Sequence, residues 1–315
     1  MQRADSPTPE MAGRYWDLFV NRRAHTVQSE QPGDKGKHYY YRPKKGEGLS
    51  LATIRQHLDG QITIALYAIN PKTQRSKWVA IDADYGNALE DLLKLQWELR
   101  QDGVEAALEK SRRGAHLWIF ADKPLLARDC RVYIYNLATR LRVPVKGGAG
   151  LAEGIEIFPR QDELAANEFG NAIRGPLGIH RAARKRYWFY GADYRLEAQL
   201  EYLMGLRKIT EKEMARFVAG LTMPEEFLPK PKAILPPYDP SRREFRILEH
   251  MGPVRRRSGN YWTKCPSCAQ QGHDRSGDNL AICVADPRKY KCWAGCTKEM
   301  IRAALGCPIR HRIAS

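Results

Sequence analysis

Residues 78–84, WVAIDAD, leave little choice of local structure. As a β-strand their side chains alternate faces, so Asp82 and Asp84 project together while Val79, Ile81 and Ala83 point the other way. Two carboxylates side by side on a rigid strand repel each other. They are comfortable only with a cation between them or with full solvation. A divalent ion is one reading, and a strand running out into a surface turn at 84–87 is the other. The rest of the chain has to decide between them.

The pattern after this strand is regular. Asn87 is placed to cap a helix to Gln101, with leucines 89, 92, 93, 95 and 99 at helical spacing. Asp102-Gly103 turns the chain into a strand, VEAALEK (104–110). Arg112, Arg113 and Gly114 lead into another, AHLWIFA (115–121). Pro124 suits the first turn of a helix running to about Arg142, with Cys130, Ile134, Leu137 and Leu141 on one side. A glycine-rich loop, KGGAG (146–150), precedes a short strand, GIEIFP (154–159). The order β-α-β-β-α-β predicts an α+β fold with an RNA-recognition-motif-like split β-α-β module, in which the first strand lies between the third and fourth. Alternation then puts Leu117, Ile119, Ile155 and Ile157 on the helix-covered face with Val79 and Ile81. His116 and Glu156 fall on the open face beside Asp82 and Asp84.

Three carboxylates and a histidine on one patch favour the metal reading. Carboxylates holding two divalent ions can align an attacking 3′-hydroxyl with a nucleotide α-phosphate and offset charge on departing pyrophosphate. Arg112, Arg113 and His116 would meet the triphosphate. So would the run at 170–190, which carries Arg174, His180, Arg181, Arg184, Lys185 and Arg186 and ends in the aromatics YWFY (187–190), a combination suited to binding nucleic acid.

Upstream, residues 1–12 read as loose. GRYWDLFVNRRAHTV (13–27) and HYYYRPKKGEG (38–48) mix aromatic and basic residues, which suits base stacking and equally suits the surface of a small sheet. Ser50 caps a short helix through His57, and ITIALYAIN (62–70) reads as a strand. Residues 13–72 are therefore expected to form a small α/β module leaning on a module at 73–191.

These motifs carry a resemblance. Asp82-Ala83-Asp84, SRRGAHLWIF (111–120) and GIEIFPRQ (154–161) resemble the three catalytic motifs of the archaeo-eukaryotic primase superfamily, the primase-polymerases. HLDGQITIALYAIN followed closely by WVAIDADY is similar to the branch found in conflict-associated and CRISPR-associated enzymes. The resemblance spans about residues 13–190. It implies that Asp82, Asp84 and Glu156 bind catalytic Mg²⁺ or Mn²⁺, and that His116, with Ser111 and Arg113, holds the incoming nucleotide. Arg174 corresponds to a recurrent basic position after the third motif. Glu156 stands where many relatives have Asp, which lengthens the arm toward a second metal.

The second half reads differently. Residues 192–222 suggest two helices, and the prolines of EEFLPKPKAILPPYDPSR (225–242) mark a linker, so 192–240 is a helical segment and linker and 241–315 a separate domain. Six of the seven cysteines lie there. Cys265 and Cys268 form one close pair and Cys292 and Cys296 another, which suits tetrahedral Zn²⁺. His273 could replace one thiolate; Cys283 reads as core and Cys307 lies beyond the last helix. The segment resembles the zinc-binding domain of bacterial and phage replicative primases, implying a zinc-ribbon-like fold that engages a single-stranded template. Cys268 and the three-residue gap between Cys292 and Cys296 depart from the usual bacterial form.

A formal charge of +16 and a pI near 9.6 point to a polyanionic partner, to which Arg255, Arg256 and Arg257 would add contacts. No apolar run approaches the ~20 residues of a membrane span, and the N-terminus has no signal-peptide core. A cytoplasmic monomer with no membrane association is expected, working on single-stranded DNA with nucleoside triphosphates, alongside a separate helicase or mobile-element or CRISPR proteins. It carries no phosphate-binding loop of its own, since GDKGKH (33–38) does not fit. The expected activity is template-dependent primer synthesis and extension. The alternatives are a polymerase that extends but cannot prime, a metal nuclease, and a non-catalytic zinc-containing nucleic-acid-binding replication or defence adaptor.

Overall fold

The computed structural model describes residues 6–33, 36–44, 46–146, 151–228, 239, 245–272, 274 and 276–309. The chain divides into two compact units, Met1–Pro229 and Lys230–Ser315, and the division falls inside the proline-rich stretch read as a linker. Most of that stretch, residues 1–5 of the expected loose N-terminus, residues 147–150 of the glycine-rich loop, and His273 lie outside the described residues.

The first unit begins with α1 (Pro9–Phe19), whose first turn carries proline and whose Met11 amide donates to the Thr8 hydroxyl. There follow β1 (His25–Gln28), β2 (Tyr40–Tyr41), α2 (Leu51–Asp59) and β3 (Ile64–Tyr67). Ser50 caps α2 through the Thr53 amide, and Gly60, in the left-handed region, ends it. Next come β4 (Arg75–Ala83), α3 (Ala88–Gln101), β5 (Ala106–Lys110), β6 (Ala115–Leu126), α4 (Ala127–Arg140), β7 (Glu156–Phe158), β8 (Ala172–Arg174) and the hairpin strands β9 (Ile179–His180) and β10 (Lys185–Arg186). α5 (Leu196–Gly205) and α6 (Glu211–Val218), the latter with a Thr210–Glu213 capping box, close the unit.

Two four-stranded antiparallel sheets result, ordered β2-β1-β3-β8 and β5-β6-β4-β7. In the second, β4 sits between β6 and β7. Val79, Ile81, Leu117, Ile119 and Ile157 pack there against Leu92, Leu95 and Leu99 of α3 and Cys130, Ile134 and Leu137 of α4. Of the leucines at helical spacing, Leu89 and Leu93 are exposed.

The opposite face is not open along its length. Trp78, Ala80, Trp118, Phe120 and Phe158 are buried there against Tyr15 and Phe19 of α1, Leu58 of α2 and Ile64 of β3, and the Trp78 indole donates to the Phe19 carbonyl at 2.9 Å. The strand's own pattern explains this, because Trp78 and Ala80 share the face of Asp82 and are apolar. Only the Asp82 end of the sheet escapes the second core.

Two local readings are corrected. Pro124 does not open a helix: β6 runs through it to Leu126, where Leu125 and Leu126 pair with Ser76 and Arg75 beyond a register irregularity. A proline is tolerated at such a break, and its carbonyl accepts from Arg75 Nη1 at 2.8 Å. Asn87 stands at the start of α3 but its side chain makes no capping bond.

The second unit is an antiparallel meander of β11 (Arg255–Arg257), β12 (Asn260–Thr263), β13 (Leu280–Cys283) and β14 (Tyr290–Cys292), with short α7 (Pro266–Gln270) after β12 and α8 (Lys298–Ala304) at its end. Its small core holds Ile247, Leu280, Ile282 and Ile301 with Cys265, Cys268 and Cys292. No described helix in either unit is long and apolar enough to cross a membrane.

Candidate active site and metal centre

Asp82 is paired across the sheet with His116 on one side and Glu156 on the other. Residues 34 and 74 positions away in sequence therefore meet Asp82 at one strand position. Asp84 follows just past the end of β4. These acids, with Tyr85, Arg113, Lys146 and Gly154, line a cleft of about 430 Å³.

Each acid has a different environment. Asp84 is held by Arg113 Nη2 at 2.5 Å and accepts from the Ser111 hydroxyl at 3.4 Å. Glu156 is pinned between Lys146 and Arg160, the latter at 2.7 Å. Asp82 Oδ1 lies 3.3 Å from His116 Nε2, off hydrogen-bond geometry, and is a buried oxygen with no hydrogen-bond partner among the described residues. That orphaned oxygen, next to a second carboxylate, fits a divalent cation. Glu156 would join it only by exchanging its lysine and arginine for the ion. As they stand, the three acids do not converge on one point.

Behind His116 lies a charge network that the sequence reading missed. Glu109, fully buried on β5 opposite His116, accepts from His116 Nδ1 at 2.7 Å, from the Trp118 indole at 3.1 Å and from Arg174 Nη2 at 2.7 Å. Burial alone would raise its carboxyl, but Arg174 and His116 outweigh that and hold it at about 2. Burial likewise opposes charge on His116, yet the Glu109 charge and the contacts to Asp82 and Glu109 lift it to about 9, so an imidazolium faces the acids.

The other basic residues divide into two groups. Arg174, expected to touch a nucleotide, is a nearly buried partner of Glu109 and of the Gly175 carbonyl. Arg186 donates to the carbonyls of Leu177 and Leu58, and Arg181 to that of Gln61. Arg112, Arg184 and Lys185 are exposed, while His180 is half-buried on β9, its pKa lowered by burial and by the nearby Arg174 and Arg112. Of the aromatic run, Tyr187 and Phe189 are buried. The segment lies along the edge of β5, with the Lys110 amide donating to Trp188 and the Tyr190 amide to Leu108.

In the second unit the sulfurs of Cys265, Cys268, Cys292 and Cys296 all lie within 4.8 Å of one another, with Cys268 Sγ 3.5 Å from Cys292 Sγ and 3.3 Å from Cys296 Sγ. Four thiolates at ~2.3 Å from a tetrahedral ion would be separated by ~3.8 Å, so the cluster is compatible with a zinc site. Among the described residues it is the one group of three or more potential ligands gathered this tightly. Burial pushes the Cys265 thiol up to about 11. Buried Asp274, also missed, shapes the first pair by accepting from the Cys265 amide at 2.6 Å and the Gly277 amide at 2.9 Å.

The outer face of this small sheet is set by register. Trp262 pairs with Arg255 and with Ala281, and Ala281 pairs with Lys291, so these side chains share a face, opposite the one carrying Leu280, Ile282 and Cys292. Trp293 stacks near Trp262, at 6.3 Å and 13° between rings, with Lys291 Nζ 4.7 Å above it.

Residues 18–217 match the family model of the TOTE conflict system archaeo-eukaryotic primase domain. The chain belongs to that family. Membership supports a nucleotidyltransferase domain in the first unit, and the cysteine cluster lies outside the matched stretch. No curated protein matches the chain. Among solved structures the chain is similar to the catalytic domain of primase Repb' in complex with initiator DNA, at 12% identity and a TM-score of 0.34, covering 63% of this chain and 94% of that one. It is also similar to the polymerase domain of Mycobacterium tuberculosis ligase D in complex with DNA, at 13% identity and a TM-score of 0.30, covering 70% and 94%.

Proposed function

We propose that the chain is a DNA primase-polymerase: a divalent-metal-dependent enzyme that joins nucleotides on a single-stranded DNA template, starting primers and extending them. The observation that carries this is Asp82, flanked in register by His116 and Glu156, with Asp84 at the next turn of the same cleft. We read the β5-β6-β4-β7 sheet with α3 and α4 as RNA-recognition-motif-like, the arrangement in which such a cluster sits at one end of the central strand.

Asp82 and Asp84, joined by Glu156 once it leaves Lys146 and Arg160, would hold Mg²⁺ or Mn²⁺. When bound, such ions lower the pKa of an attacking hydroxyl and offset charge on the departing pyrophosphate. The chain's own groups supply the rest. His116, charged at neutral pH, and Arg113, 70% exposed along its side chain, offer donors to triphosphate oxygens. Lys146 and Arg160 are free to follow the phosphates when the third acid turns away. In the second unit we assign Zn²⁺ to the four cysteines and the single strand to the face of Trp262 and Trp293, where bases stack and Arg255 and Lys291 meet phosphates.

The test is nucleotide incorporation on primed and unprimed single strands, with ribo- and deoxynucleotides, under Mg²⁺ and Mn²⁺. The double variant Asp82→Ala/Asp84→Ala is expected to abolish synthesis while retaining DNA binding, because the basic surface supplies most of the affinity. Synthesis by that variant at the wild-type rate would end the catalytic assignment. Extension without priming would reduce the function to a primer-extending polymerase.

A further inference from the structure

One buried ionisable group, Glu109, touches neither the cleft nor solvent. Glu109 is fully buried, and both of its oxygens are committed: Oε1 to Arg174, Oε2 to His116 and to the Trp118 indole. A carboxylate only accepts, so the proton on His116 must sit on Nδ1. With that edge of the ring fixed, Nε2 faces Asp82 Oδ1 at 3.3 Å and the cleft beyond it. Arg174 fixes Glu109 in turn. It comes from β8, in the other sheet, and its Nη1 donates to the Gly175 carbonyl. The ring therefore cannot flip or turn without breaking a bond at 2.7 Å to a side chain that is itself pinned from a second sheet.

We propose that Glu109 is a positioning residue for the incoming nucleotide: held by Arg174, it orients His116 so that Nε2 is aimed where triphosphate oxygens arrive beside Asp82. The inference rests on the polymerase reading of the cleft. It assigns Arg174 a role in holding the recognition apparatus, in place of direct phosphate contact. A carboxylate behind a histidine that fixes tautomer and ring orientation typically accounts for ~10–100-fold in affinity or activity when lost, which sets the size of effect to look for.

The experiment uses the full-length chain with its metals and a primed single strand. Glu109→Gln keeps the shape of the side chain but offers an amide. It is expected to raise the KM for nucleotide ~10–100-fold with kcat changed much less, while Mn²⁺ affinity, read by electron paramagnetic resonance, and DNA affinity stay at wild-type values. In ¹⁵N-histidine spectra the downfield, exchange-protected Nδ1–H resonance of His116, identified by its absence in His116→Ala, is expected to be lost. Because Glu109 acts through His116, adding Glu109→Gln to His116→Ala is expected to produce no further rise in KM.

A Glu109→Gln effect of the same size in the His116→Ala background would overturn the proposal, as would an unchanged nucleotide KM. Leaving Arg174 unpaired could prevent Glu109→Gln from folding, so Glu109→Leu/Arg174→Met removes both charges together. A folded double variant with wild-type nucleotide KM would equally overturn it. If the wild-type chain incorporates no nucleotide at all, the polymerase reading fails instead, and the two failures are told apart by that control.

Discussion

Gly114 sits where the hairpin between β5 and β6 crosses the end of the acidic strand, and Gly114→Ala tests whether that crossing sets the catalytic geometry. A Cβ at this position would overlap the Ala83 carbonyl oxygen and come within 2.9 Å of its carbon and 3.3 Å of the Ala88 side chain. Ala83 stands between Asp82 and Asp84, and the hairpin carries Ser111 and Arg113, which bind Asp84. Relief of the overlap requires the two segments to separate by on the order of 1 Å, since a close-packed strand end has no void to yield. Misplacement on that scale can cost ~100-fold in rate, and overpacking of this kind ~1–3 kcal/mol in stability. The assay is single-nucleotide extension of a primed strand, with folding followed by thermal melting and DNA affinity by anisotropy. A rate near ~1% of wild type with DNA affinity retained is expected. Wild-type kcat in a variant of normal stability would refute the claim that the hairpin's contact with the strand fixes the acids.

Cys292→Ala is expected to lose the metal measured in the purified protein and to impair priming more than extension; equal loss of both would point to a general folding role. Trp293→Ala is expected to weaken single-strand affinity by ~1–3 kcal/mol, read by anisotropy, with nucleotide KM on a saturating primed template unchanged. Stability of the chelator-treated chain is expected to peak near pH 6.5. His116, raised to about 9, contributes fully below its ordinary value and loses that contribution as pH climbs toward 9. His57, neutral and lowered by burial to about 3, costs stability as pH falls below 6.5. Each limb has a limiting slope of ~1.4 kcal/mol per pH unit, measured by denaturant titration, and His116→Asn should flatten the alkaline one.

Strand alternation brought Asp82, His116 and Glu156 together because a period of two is local and the three strands are neighbours in the sheet. Thiol spacing brought four cysteines together for the same reason, since tight turns are short-range. What escaped was non-local or hidden by ordinary patterning. Glu109 is one polar residue in VEAALEK with no pattern to single it out, although the tight turn at 111–114 sets a register that opposes it to His116. Arg174, Arg181 and Arg186 read as one basic face, but their partners, Glu109 and the carbonyls of Gln61, Leu58 and Leu177, belong largely to elements far upstream. Tyr187 and Phe189 read as stacking aromatics, yet they are buried along the β5 edge. The acidic face was read as open from Asp82 and Asp84 alone, whereas Trp78 and Ala80 two and four residues earlier already required a second core.

That second core explains why the site is where it is. The β5-β6-β4-β7 sheet is covered on one face by α3 and α4 and on the other by α1, α2 and the first sheet, so a carboxylate in the middle of β4 would be buried on either side. Only at the Ala83 end do the coverings part, and there the strand turns acidic. The Glu109–Arg174 pair lies just inside this opening and ties β5 of one sheet to β8 of the other. Apolar residues of similar volume commonly hold such an interface as well as a buried ion pair does, since desolvation offsets most of the attraction. Stability alone therefore gives no reason for charges at these two positions. Orientation of His116 does, because only an acceptor fixed from behind can hold the imidazolium toward the acids while leaving its other nitrogen for a ligand.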